Sequence, residues 1–144
     1  MTTTDGPRVT RIVPASRERV FDAWLDPKAL ASFIRPAPGV TVPKAEVDAR
    51  EGGEFLLLMK VGERELPHRG TYQILDRPSR LVFTWVSENA GTNSLVTLDF
   101  EEAGEGKTRL TLVHTGLPSE KSKADHEKGW TSILDTQAEQ MWAG

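Results

Sequence analysis

Pro78-Ser79-Arg80-Leu81-Val82-Phe83-Thr84-Trp85 opens on turn residues and then alternates, with Leu81, Phe83 and Trp85 each two apart. Side chains two apart share one face of a β-strand, so these three predict a sheet face that is apolar and aromatic. The same parity recurs on both sides of this stretch. Phe55, Leu57 and Met59 share a face, as do His68, Gly70, Tyr72 and Ile74, then Val96, Leu98 and Phe100, then Leu110, Leu112 and His114. The opposite parity holds Arg69, Thr71, Gln73, Arg109 and Thr111, which marks the wet side. Turn residues stand between these runs at Glu51-Gly52-Gly53, Val61-Gly62-Glu63, Asp76-Arg77-Pro78, Asn89 to Asn93 and Ala103 to Gly106. Alternation broken by regular turns predicts a meander of five or six antiparallel strands from Val40 to Thr115.

Further out, Arg8 to Val13 is rich in β-branched residues and stops at Pro14, as a strand does. The period then changes from two to three and four. Ser16 caps an expected helix carrying Val20, Phe21, Trp24 and Leu25, and Asp26-Pro27 starts a second short helix through Leu30 and Phe33. After Pro118-Ser119, residues Trp130, Ile133, Leu134, Gln137, Ala138 and Met141 recur at helical spacing. An apolar sheet face and an apolar helix stripe each need a partner, so the long C-terminal helix is expected to cover the sheet in an α+β fold.

The 144 residues fit one domain spanning 1–144. Without cysteine there is no disulfide, no iron–sulfur cluster, no thiolate zinc site and no cysteine nucleophile. The formal charge of -3 offers no footprint for a phosphate backbone, so nucleic acid is not an expected partner. No apolar run is long enough to span a membrane, and the opening Met-Thr-Thr-Thr-Asp-Gly-Pro lacks the basic and apolar regions of a signal peptide, so the expected location is the cytoplasm.

Val20-Phe21-Asp22-Ala23-Trp24-Leu25-Asp26-Pro27, Gly52-Gly53, Gly70-Thr71-Tyr72, Pro78 to Trp85, Thr108 to Leu112, His114-Thr115-Gly116 and Gly129-Trp130, in this order, resemble the SRPBCC superfamily with its START-like helix-grip fold. Within it the chain resembles the branch of the C-terminal domain of the heat-shock-protein-90 ATPase activator. That resemblance implies a curved sheet of six to seven antiparallel strands wrapped around the C-terminal helix, two short helices after the first strand, and a cavity between sheet and helix. It also carries an association with the stress response. Two departures are visible. Where members of the branch often carry a tryptophan pair before a proline, this chain has Phe33-Ile34-Arg35-Pro36, and the activator's separate chaperone-binding domain has no counterpart in these residues.

Inward parity and the resemblance together nominate Trp24, Phe33, Phe55, Leu57, Tyr72, Phe83, Trp85, His114, Trp130, Leu134 and Gln137 as pocket residues. Aromatic residues on inward faces are more often core than pocket, and His114 is more simply a core histidine bonded to its neighbours. Gln137 interrupts its stripe either to bond a neighbour or to border a hydrated space. The separations of His68, His114 and His126 fit no compact metal-ligand pattern, and no Asp, Glu or Lys falls on the inward faces to act as an acid or base. No cofactor motif is present. The reading is therefore a module that binds a small apolar or amphipathic molecule. One alternative is an aromatase/cyclase-type enzyme using His114 and Tyr72, and another is a co-chaperone-like interaction domain. The outward residues Leu56, Leu58, Val82 and Val86 predict an apolar patch on the outer sheet face, suited to a homodimer.

Overall fold

Seven strands and three helices follow one another in the computed structural model, which describes residues 6–143. The opening residues Met1 to Asp5, part of the segment read for a signal peptide, lie outside that range. In chain order the elements are β1 (Arg8–Val13), α1 (Arg17–Ala23), α2 (Pro27–Phe33), β2 (Val40–Val47), β3 (Glu54–Val61), β4 (Arg64–Asp76), β5 (Arg80–Ser87), β6 (Gly91–Glu102), β7 (Thr108–Thr115) and α3 (Glu120–Ala143). The strands form a single sheet in the order β1-β7-β6-β5-β4-β3-β2, with every pair antiparallel. Strands β2 to β7 are the predicted meander, and β1 closes onto β7.

The helices begin where the caps stand. Ser16 Oγ accepts from the Arg19 N–H at 3.3 Å, the Asp26 carboxylate from the Lys28 N–H at 3.2 Å, and Ser119 Oγ from the Ser122 N–H at 3.0 Å. Each bond satisfies a donor that the first helical turn leaves free. Helix α3 lies over the inner sheet face, with Trp130, Ile133, Leu134 and Gln137 all buried. Arg11 on β1 donates to Asp135 at 2.6 Å, and Gln140 donates to the Ser32 carbonyl at 3.1 Å, which fixes α3 between β1 and α2. Parity holds along β3, β5, β6 and β7, whose inward residues are buried. Burying each such Leu, Val or Phe side chain is worth about 1.5–3 kcal/mol.

Three expectations change. Tyr72 pairs with Phe83 while Ile74 pairs with Val82, so one extra residue of β4 is accommodated at Gln73. That bulge reverses the parity: Ile74, expected inward, is 39% exposed, and Leu75 packs against the core instead. Thr111, expected on the wet side, is buried beside Thr10, the two hydroxyls 3.3 Å apart. The outer apolar patch of Leu56, Leu58, Val82 and Val86 is not continuous. Arg69 stands opposite both Leu56 and Val86, Lys44 and Pro67 flank Leu58, and Val82 is itself buried. No helix among the described residues is long and apolar enough to cross a membrane.

Candidate functional site

Alternation along β3, β4 and β5 sends Phe55, Tyr72, Phe83 and Trp85 to the inner face, where their rings meet. Phe55 lies 5.3 Å from Phe83, 5.4 Å from Tyr72 and 6.0 Å from Trp85 between ring centres. Gly70 makes this possible, because a side chain there would collide with the Thr84 carbonyl oxygen and the Phe55 ring. Trp24 and Phe33 close the cluster from α1 and α2 with an edge-on contact at 5.1 Å. The space left among Trp24, Leu30, Ile34, Phe55, Tyr72 and Phe83 is about 10 Å³, no more than the ~10–15 Å³ that a single water needs. This deep end is filled.

Toward the other end the sheet and α3 part. A cavity of about 190 Å³ opens there, walled on the sheet side by Met59, Val61, Leu66, His68 and Trp85. Asp125, His126, Gly129, Trp130 and Ile133 form its helix side, with Pro36, Val40 and Asn89 at the rim. Gly129 lacks a side chain where Pro36 comes close: a Cβ there would lie 3.1 Å from Pro36 Cβ. Trp85 and Trp130, 5.0 Å apart, separate this cavity from the filled end.

Polar groups around the cavity divide into satisfied and unsatisfied. An indole N–H only donates, so the 2.9 Å bond from Trp130 Nε1 makes His114 Nδ1 an acceptor. The proton of His114 therefore sits on Nε2 and is donated to Ser94 Oγ at 2.9 Å, and Ser94 donates to the Trp85 carbonyl at 2.6 Å. Burial holds the His114 imidazole down at about 3, with His126 acting in the same direction. Both of its nitrogens are spent inside the core.

His68 and His126 differ. Each holds its Nδ1 proton against a backbone carbonyl, Leu66 at 2.9 Å and Ser122 at 2.7 Å. Their Nε2 atoms make no hydrogen bond among the described residues, so each neutral ring offers a free acceptor. Burial holds His68 down at about 4 against the opposing pull of its bond to Leu66, and burial likewise lowers His126. Asp125 on the helix side is taken up by Lys121 at 2.8 Å. The indole nitrogen of Trp85 is a buried donor with no partner. At the deep end Trp24 Nε1 donates to Gln137 Oε1 at 2.9 Å and leaves Gln137 Nε2 unpartnered. No group of three or more metal-ligating side chains is assembled among the described residues.

All the nominated residues are buried. Trp85 and Trp130 border the open cavity, and Trp24, Phe55, Leu57, Tyr72 and Phe83 border the filled void with Trp85. Phe33, His114, Leu134 and Gln137 line neither space. The nomination left out Met59, Val61, Leu66 and His68, although they carry the inward parity of β3 and β4 to the cavity, and His126, which precedes Trp130 by one helical turn. Pro36 had no such signal, because its approach to Gly129 is purely tertiary.

A seven-stranded antiparallel sheet closed on a C-terminal helix, with a cavity where they part, defines a START-like helix-grip protein. The chain belongs to the family described as Activator of Hsp90 ATPase homolog 1-like protein, which it matches over residues 14–141, and so to the SRPBCC superfamily. Among solved structures it is similar to protein CV1439 from Chromobacterium violaceum, at 28% identity and a TM-score of 0.83 over 93% of this chain and 94% of that one. The AHSA1 protein SPO3351 from Silicibacter pomeroyi is 27% identical with a TM-score of 0.79, over 94% and 96% of the two chains. The AHSA1-like protein from Aeromonas hydrophila shares the fold at 23% identity, with a TM-score of 0.78 over 94% and 92%. No curated protein matches the chain.

Proposed function

We propose that this protein binds a small, mainly apolar molecule in the cavity between β3–β5 and α3. The observation that carries the reading is a concavity of about 190 Å³ whose walls are mostly apolar, with His68, Asn89, Asp125 and His126 as its few polar side chains. A few polar groups set in an apolar concavity are what a ligand site requires. A proton-transferring enzyme built on His114 and Tyr72 gains no comparable support. His114 has no free nitrogen, Tyr72 borders the filled void, and burial pushes its phenol further up from the range where it ionises. A co-chaperone role has no observation of its own beyond the family relationship.

Titration with toluene and other monocyclic arenes, read by tryptophan emission, tests the reading. A saturable change that weakens in Trp85→Phe is the expected result, and no saturable change across the panel contradicts it.

A further inference from the structure

Strand lengths differ where the cavity opens. β4 begins at Arg64, but Val86 near the end of β5 stands opposite Arg69, so Arg64 to His68 run past the end of the ladder with β5. Beyond Val86 the chain turns to α3: the Asn89 carbonyl accepts from Ser122 Oγ at 2.8 Å, and the Asn89 side chain donates to Asp125 at 3.3 Å. A notch of about 330 Å³ is left between the start of β4 and this segment. Leu66, His68 and Asn89 line both the notch and the apolar cavity, so the two spaces meet along these three residues. Their other walls differ in kind. The cavity continues over Met59, Trp85, Trp130 and Ile133, whereas the notch continues over Arg64, Glu65, Ser87 and Glu88.

The notch holds charges of both signs. Arg64 comes only within 3.8 Å of Glu88, with both side chains largely exposed, a pair that contributes little and leaves both groups open to other partners. A guanidinium supplies donors and carboxylates supply acceptors, so a neutral group that both donates and accepts answers either, while an ion of one sign meets a like charge as well as an opposite one. Resting on the ligand-binding reading above, we infer that cavity and notch form one bipartite site for an amphipathic molecule, with an apolar ring or short chain in the cavity and a neutral hydrogen-bonding end, a hydroxyl or an amide, in the notch. A cavity of about 150 Å³ holds benzene, so about 190 Å³ holds one substituted ring, and the notch takes what extends past Leu66 and His68.

The test is calorimetric titration of the whole chain at neutral pH with toluene, butylbenzene, 4-phenylbutan-1-ol, 4-phenylbutyrate and 4-phenylbutylamine. The alcohol is expected to bind roughly tenfold tighter than toluene, from its longer apolar body, and about threefold tighter than butylbenzene, from its hydroxyl, with the two charged probes weaker than the alcohol. Glu88 lines the notch and not the cavity, so in Glu88→Trp, whose ring fills the notch, the alcohol is expected to fall to the level of toluene while toluene binds as before. An alcohol no tighter than toluene in the wild type overturns the bipartite site and leaves the cavity as an apolar site. Butylbenzene binding as tightly as the alcohol overturns the polar end, and tighter binding of 4-phenylbutyrate or 4-phenylbutylamine overturns it in favour of a charged one. Full affinity for the alcohol in Glu88→Trp overturns the assignment to the notch. No binding of any probe overturns this inference and the ligand-binding reading together. The wild-type comparison of the five probes stands whether or not the variant folds.

Discussion

One inner sheet face meets one helix, yet the two ends of their interface behave differently. At the Trp24–Phe55–Phe83 end the aromatic side chains leave about 10 Å³, whereas at the His68–Trp85–His126 end about 190 Å³ stays open. Strand parity is the same at both. What differs is what stands opposite: α1 and α2 drive Trp24, Leu30 and Ile34 into the deep end, while the mouth faces Gly129, which has no side chain to contribute. Parity gives direction, and the facing element decides whether that direction ends in packing or in space.

The sharpest way to break this comparison is truncation at each end. Phe55→Ala removes the ring that meets Tyr72, Phe83 and Trp85 and is expected to cost about 3–5 kcal/mol in urea denaturation, as deletion of a buried Phe does. Leu66→Ala, half-buried beside open space, is expected to cost about 1 kcal/mol, near the typical single substitution. Equal losses would mean that the mouth is as tightly packed as the deep end.

His114 yields a second prediction, with its sign set by burial. Its folded pKa of about 3 lies below the ordinary value of 6.5, so the unfolded chain takes up a proton that the folded chain refuses. Its contribution is complete above pH 6.5 and is lost progressively as the pH falls toward 3, by about 1.4 kcal/mol per pH unit, or about 2 kcal/mol at pH 5. His68 and His126, both lowered, act in the same direction. Denaturation of His114→Phe at pH 6.5 and pH 5 is expected to show a shallower fall than the wild type. An identical slope contradicts the assignment.

Much of this was legible in the sequence, and the exceptions have physical reasons. The strand faces, both short helices and the α3 stripe follow from periods of two and of three to four, because the buried residues had to recur at those spacings. Ile74 was misread because a bulge at Gln73 leaves no mark in an alternation, and Val82 because burial on the outer face depends on cross-strand neighbours. Among the site residues, Trp85 and Trp130 were named from the sequence. His68 carried the right parity, but the polarity that makes it useful also makes it look solvated. No sequence pattern states that the bond from Trp130 consumes one nitrogen of His114 while those of His68 and His126 leave theirs free.

A smaller effect sharpens the same contrast from the mouth. Leu66→Trp places a larger ring in open space and is expected to change stability by less than about 1.5 kcal/mol, the range for tolerated core swaps. Toluene binding is expected to disappear. Retained binding in this variant would move the ligand site elsewhere.

The most direct measurement follows the tryptophan indole N–H resonances during titration with p-cresol, the Trp85 signal being assigned by its loss in Trp85→Phe. Trp24 and Trp130 already donate to Gln137 and His114, whereas Trp85 has no partner to exchange. The Trp85 and Trp130 resonances, whose rings line the cavity, are expected to move saturably, with Trp24, which does not line it, nearly still. A Trp24 resonance that moves as far as that of Trp85, or no saturable movement of Trp85 at all, would contradict a ligand site at the mouth of the cavity.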